Sequence, residues 1–210
     1  GNLLGAEQSG FIADLGYETY QKILAEAMRE LKNEEFADIL PDEPTTGDNG
    51  YVSECLIESD LELLFPSTYV PDSNERILLY RELDSITNDA DLAKFRDKML
   101  DRFGKEMPRE AEELIRTVSM RHKAKELGIE KIQLKAGKMN LQLVGCESPY
   151  YESDLFAKIL INMNLSRFKC LMRESNNRRS IIVDEVRNIE KALSFIEELM
   201  KEPEEIPYTE

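Results

Sequence analysis

Residues 129–201 contain two similar units, and this repetition constrains the fold more than any other feature of the sequence. In the first unit, apolar alternation over residues 129–134 and 139–144 flanks Lys135–Lys138, which predicts a β-hairpin. A helix is predicted next, because apolar residues recur at helical spacing: Leu155, Phe156, Ile159, Leu160 and Met163.

The second unit repeats this order. Phe168, Cys170 and Met172 alternate with their neighbours as in a strand, and a polar turn at residues 174–177 precedes a second strand over 179–183. The apolar residues of a final helix are Val186, Ile189, Leu193, Ile196 and Leu199. The order strand-strand-helix-strand-strand-helix predicts an α+β fold with helices packed on one face of a small antiparallel sheet.

Residues 54–128 are predicted to form one strand followed by three helices. Period-two alternation from Glu54 to Phe65 is typical of a half-buried strand. The first helix carries apolar residues between Ile77 and Leu83. The boundaries of the next two helices are predicted from cap and turn residues: Asn88 or Asp89, Gly104, Pro108 and Gly128.

The charge of the chain argues against nucleic acid as its main partner. Its net charge is −15, from 27 basic and 42 acidic side chains. An acidic surface repels phosphates and forgoes the counterion release that drives non-specific DNA binding. No apolar run approaches the roughly 18–20 residues that span a bilayer, so no membrane contact is predicted. Three widely spaced cysteines, Cys55, Cys146 and Cys170, favour reduced thiols in a cytoplasmic protein over disulfides or a zinc site.

The first part of the chain is predicted to belong to a separate structural region. Glycines surround Gln8 and Ser9, which is typical of a loop with φ > 0 or a close backbone approach. With no initiator Met, we expect a piece of a larger protein. Residues 16–32 have the spacing of an amphipathic helix. The predicted organisation is an N-terminal segment, a linker, an α+β domain and a tail, at 1–37, 38–53, 54–201 and 202–210.

Three stretches resemble motifs of the bacterial transcription-repair coupling factor family. Gly1–Gly10 is similar to the end of the translocation motif that the family shares with RecG-type helicases. Phe65–Asp72, followed by Arg76–Arg81, resembles the signature Pro-x-x-Tyr-Ile-Pro-Asp…Arg-Leu-x-x-Tyr. Asp101–Gly104, with Pro108 after it, resembles Asp-Arg-Phe-Gly-x-x-Pro, although three residues rather than two separate the glycine and the proline here.

The resemblance implies the C-terminal region of an ATP-dependent double-stranded DNA translocase. Members of the family act on stalled RNA polymerase and recruit UvrA in nucleotide excision repair. Residues 1–37 would end the motor's translocation motif, and the loop that couples ATP hydrolysis to movement would contain Gly5, Gln8, Ser9 and Gly10. Residues 54–201 would be regulatory: through contact with the UvrA-binding region of the same protein, they would restrain UvrA recruitment and motor activity.

The chain itself is predicted to be non-enzymatic and to hold no cofactor or metal. It contains no Gly-x-x-x-x-Gly-Lys-Ser/Thr phosphate loop. By the resemblance, ATP and magnesium belong to the full-length parent, which would be cytoplasmic and associated with the nucleoid through DNA.

The only concentration of basic residues comprises Arg167, Lys169, Arg173, Arg178 and Arg179. Period two places the first three on one strand face. One interpretation is a solvated sheet face. The other is a docking patch for an acidic partner surface or a phosphate backbone, which would make this an accessory module that engages DNA or RNA polymerase. No aromatic residue alternates with these charges to stack bases, so we favour a protein partner.

Overall fold

The computed structural model describes residues 50–203 of the 210-residue chain. The predicted helix at 16–32, most of the predicted linker and the tail beyond residue 203 lie outside the described residues, and the predicted domain boundaries stay predictions. The described chain forms two compact units. Unit 1 comprises Glu62–Ser119, and unit 2 comprises residues 50–61 and 120–203.

Unit 1 is helical, and its helix boundaries follow from local capping. It contains α1 (Ser73–Ser85), α2 (Asp89–Phe103) and the first part of α3 (Arg109–Glu126). The Asn88 carboxamide caps α2 by accepting the Asp91 N–H at 2.8 Å. Gly104 ends α2 with φ of 119°, a conformation that suits glycine. The caps predicted for α2 are therefore confirmed.

The core of unit 1 contains a cluster of aromatic rings. The Phe65 ring stacks on that of Tyr80 with centroids 5.2 Å apart, and the Phe95 ring lies 6.2 Å from Phe65. Leu83, Met99 and Leu114 are buried without measurable exposure. Burial of this kind supplies most of the free energy that holds short helices together.

Unit 2 contains a five-stranded sheet in the order β1-β2-β3-β5-β4. The strands are β1 (Leu56–Ser59), β2 (Ile129–Lys135), β3 (Lys138–Gly145), β4 (Cys170–Ser175) and β5 (Arg178–Val183). Neighbouring strands from β2 to β4 pair antiparallel, whereas β1 pairs parallel to β2. Strands β1 and β4 are the edges of the sheet.

The register gives the sheet one covered face and one open face. Ile132, Leu141 and Ile181 stand in one cross-strand row and are buried without measurable exposure. The next row, which contains Asn140 and Ile182, is only partly buried. The chain also forms α4 (Asp154–Leu165), α5 (Ile189–Met200) and a 3₁₀ turn at Pro149–Glu152.

The α+β class and the order strand-strand-helix-strand-strand-helix are both confirmed over residues 129–200. Gly128 ends the preceding helical segment with φ of 81°, as predicted. The hairpin between β2 and β3 turns at Ala136 and Gly137, which have φ of 51° and 73°.

The prediction for residues 54–65 was only partly right. The strand has four residues, and its parallel pairing makes the sheet mixed rather than antiparallel. Two of the apolar residues that continue its alternation, Leu63 and Phe65, are buried and belong to unit 1. The direction of β1 depends on the long helical connection to β2, which local periodicity does not encode.

The Cys55 thiol lies beside β1, in the interior of unit 2. It is 4% exposed, and burial raises its pKa to about 12 although Arg121 acts in the opposite direction. A thiol is charged when deprotonated, so the raised folded pKa means that the unfolded chain loses this proton first as pH rises. The protonated Cys55 thiol therefore contributes fully to the free energy of unfolding below the unfolded pKa of 9.0. This contribution is lost as the pH rises from that value to the folded pKa.

When the pH is raised from 8 to 10, we expect the titration of Cys55 to decrease the free energy of unfolding by about 1.4 kcal/mol. Urea unfolding of the wild type and Cys55→Ala across this range measures it. The packing lost in the variant is independent of pH, so only the slopes are compared. A shallower decline is expected for Cys55→Ala, and parallel profiles would show that the thiol titrates alike in both states.

Candidate interaction surfaces

The two motifs that carry the resemblance within the described residues meet in unit 1. The Tyr69 hydroxyl donates to the carbonyl of Gly104 at 2.8 Å and lies 3.1 Å from that of Met99. Its ring lies 5.7 Å from the ring of Phe103. Burial raises the pKa of the Tyr69 hydroxyl, which keeps it protonated as the donor.

Arg76 holds the turn that connects Tyr69 to the start of α1. Its Nη1 donates to the carbonyls of Val70 at 2.7 Å and Pro71 at 3.1 Å, and the side chain is buried. Asp72 caps α1 by accepting the Glu75 N–H at 2.8 Å. The motif residues therefore stabilise one turn and its helices, a structural role.

The predicted motor-coupling residues Gly5, Gln8, Ser9 and Gly10 lie outside the described residues. Their role stays a prediction.

The structure separates the basic residues that the sequence groups between 167 and 179. Arg178 forms an ion pair with Glu130, on β2. Arg179 lies 3.6 Å from Glu174, and its guanidinium sits 4.5 Å from the centroid of the Tyr151 ring. These two charges are held by neighbours within unit 2.

The remaining three basic residues lie at and before the edge strand β4. Arg173 is exposed on β4 and forms no ion pair within the described part of the chain. Lys169 and Arg167 precede the first residue of β4, and both line a groove of about 900 Å³.

This groove, which we call the basic groove, is formed by three segments of unit 2. They are the β2–β3 turn, the segment before β4, and the segment from the end of β5 into α5. Two backbone hydrogen bonds join them: the Asp184 N–H donates to the Lys169 carbonyl at 3.0 Å, and the Val186 N–H donates to the Gly137 carbonyl at 2.7 Å. Its charged lining residues are Lys138, Arg167, Lys169, Asp184, Glu185, Arg187 and Lys191.

Glu198 anchors one wall of the groove. Its carboxylate accepts hydrogen bonds from Ser166 Oγ at 2.5 Å and Arg167 Nε at 2.9 Å. Burial alone would raise the pKa of Glu198, but these two donors outweigh it and the net shift is downward. The Arg167 guanidinium is thus tied to Glu198 at its Nε, although the side chain as a whole remains 81% exposed.

A second exposed feature is an apolar stripe on α4, consisting of Leu160, Ile161 and Leu165. Their exposed fractions are 40%, 45% and 73%. The sequence pattern groups Leu160 with Phe156 and Ile159 on one stripe of this helix; in the structure Phe156 and Ile159 are buried, whereas Leu160 is exposed. The i, i+1, i+5 spacing puts the three exposed residues on one side of the helix.

Two negative findings apply to the described residues 50–203. No group of three potential metal ligands comes together there. None of the helices there is long and apolar enough to cross a membrane.

Comparisons with known proteins agree with this geometry. The family model described as TRCF domain matches residues 59–152. The transcription-repair-coupling factor of Rickettsia bellii (strain RML369-C) is 36% identical over 132 residues, 63% of this chain and 11% of that protein. Its counterpart in Bacillus subtilis (strain 168) is 33% identical over 135 residues, 63% of this chain and 10% of that protein. The chain thus spans about a tenth of the length of these relatives.

The fold has a solved counterpart. The crystal structure of the C-terminal domain of transcription-repair coupling factor superposes with a TM-score of 0.60 at 18% identity, over 70% of this chain and 92% of that one. The described region is therefore an α+β domain of the TRCF type. Residues 59–152 match the TRCF domain, and the chain is similar to transcription-repair-coupling factors over 63% of its length, as the sequence motifs indicate.

Proposed function

We propose that this chain is the regulatory C-terminal region of a transcription-repair coupling factor. In this role it restrains UvrA recruitment and motor activity until the parent translocase engages DNA and a stalled RNA polymerase. The observation that carries the proposal is the TRCF-domain match at residues 59–152 on the fold of the family's C-terminal domain. The region itself is non-catalytic; ATP, magnesium and DNA are handled by the rest of a cytoplasmic parent protein.

The surface of the chain supports protein contacts over a DNA-binding role. The net charge of −15 opposes a phosphate backbone. The α4 stripe exposes large apolar side chains on one side of a helix, which is typical of protein interaction sites. An acidic surface with a local apolar stripe fits an intramolecular mask that is released when the parent protein changes conformation.

The masking role predicts that removing this region strengthens UvrA binding. Calorimetry would compare the full-length parent with a version truncated before Asp38. We expect a gain of about tenfold or more, which corresponds to roughly 1.4 kcal/mol of coupling between two sites. Basal ATP hydrolysis by the truncated protein is the control for an intact motor. Equal UvrA affinities would contradict the masking role and leave RNA polymerase as the partner to test.

A further inference from the structure

The basic groove concentrates positive charge on an acidic chain. Its lining holds five of the 27 basic side chains but only two of the 42 acidic ones. Four of the five basic residues, Arg167, Lys169, Arg187 and Lys191, lie outside residues 59–152, the part that matches the family model. The groove is therefore a feature of this chain that the TRCF-domain match does not explain.

The groove has more basic side chains than carboxylates that pair with them. A single carboxylate, Asp184, serves both Lys138 and Lys169, at 3.6 and 3.9 Å. Neither Arg187 nor Lys191 forms an ion pair with any residue that the structure describes. Exposed pairs of this length contribute about 0–1 kcal/mol, so an incoming anion can replace Asp184 at little cost.

Backbone hydrogen bonds hold the three segments of the groove together. The two backbone hydrogen bonds between its segments fix the positions from which the basic side chains project. Gly137 has φ of 73°, which tightens the β2–β3 turn, and the aliphatic part of Arg187 lies over it. A binding partner would therefore order side chains only, which keeps the entropic cost of association small.

The chemistry of the lining favours carboxylates spaced along a polypeptide over a run of phosphates. Asp184 and Glu185 stand among the cations, and they would repel a continuous phosphodiester backbone but can accept peptide N–H groups. Phe168 is the single aromatic residue in the lining. Its ring is half-buried and meets the Phe195 ring at 74° with centroids 5.5 Å apart, so no series of stacking platforms exists for bases.

We propose that the basic groove binds an acidic polypeptide segment of a partner protein, whose carboxylates pair with Arg187, Lys191 and the two lysines that share Asp184. This site is separate from the proposed restraint of UvrA, and neither depends on the other.

The test uses the 210-residue chain and a fluorescein-labelled octaglutamate peptide, followed by anisotropy at low salt, about 50 mM. The groove variant is Arg187→Glu with Lys191→Glu. The matched control is Lys105→Glu with Arg109→Glu, which removes the same charge from exposed positions in unit 1. We expect the control to bind like the wild type and the groove variant to bind at least about tenfold more weakly.

An oligothymidylate of similar charge, measured on the same three proteins, distinguishes the two anion classes. Tighter binding of the oligonucleotide that is lost in the groove variant would overturn the proposal and assign the groove to nucleic acid. If peptide binding weakened equally in both variants, the loss would come from the change in net charge and not from the groove, which would also overturn the proposal. The same holds if octaglutamate fails to bind the wild type.

Discussion

Replacing Gly128 by alanine is expected to destabilise unit 2 by about 3 kcal/mol, from two separate costs. Gly128 has φ of 81°, a conformation that is unfavourable for any residue with a Cβ atom. A Cβ added there would lie 2.4 Å from Cε2 of Tyr150. The Tyr150 ring cannot retreat easily, because it is fully buried and its hydroxyl donates to the Leu127 carbonyl at 2.7 Å.

Gly137→Ala is the matched control for the backbone cost alone. Gly137 has φ of 73°, and the nearest atom to an added Cβ is Cγ of Arg187, at an ordinary 3.4 Å on a flexible side chain. We expect this variant to lose about 1 kcal/mol. Urea unfolding measures both variants, and hydrogen exchange shows which unit loses protection. Similar losses in the two alanine variants would contradict the proposed clash with Tyr150.

Local sequence patterns predict some of these features and not others. Gly128 was predicted as a helix stop because local chain geometry alone requires glycine after many helices. The contact with Tyr150 depends on how a segment about twenty residues further along returns to the helix end, and no local pattern encodes that return. The same reasoning explains why the hairpin at Ala136 and Gly137 was predicted correctly, while the parallel pairing of β1 was not.

The basic groove was predicted only in part, because local sequence patterns do not show which distant segments come together. Arg167 and Lys169 stood out because they are close together in an acidic sequence. Lys138 and Lys191 belong to the same groove, but more than fifty residues separate them in sequence. Conversely, Arg178 was grouped with the patch by proximity, whereas the structure pairs it with Glu130 on another strand. Three separate segments form the groove, so its charged residues can be recognised as one site only from the tertiary structure.

Replacing Tyr80 by alanine is expected to destabilise unit 1 by about 3–5 kcal/mol, the range typical of aromatic residues removed from a core. Tyr80 is fully buried on α1, and its ring stacks on that of Phe65 at an interplanar angle of 13°. Its hydroxyl also accepts the Phe65 N–H at 3.0 Å. This N–H belongs to the irregular segment before α1, so no strand or helix supplies it with another acceptor through regular pairing.

Tyr80→Phe separates the two contributions. It keeps the ring but leaves the buried Phe65 N–H without its acceptor, which should cost about 1–3 kcal/mol. Leu78→Ala on the same helix is the control, because Leu78 is 60% exposed and its truncation should change the free energy of unfolding by less than about 0.5 kcal/mol. Urea unfolding gives the three values, and hydrogen exchange assigns the loss to unit 1. If Tyr80→Phe matched the wild type, the bond to Phe65 would contribute no net stability, and the signature's tyrosine would act through its ring alone.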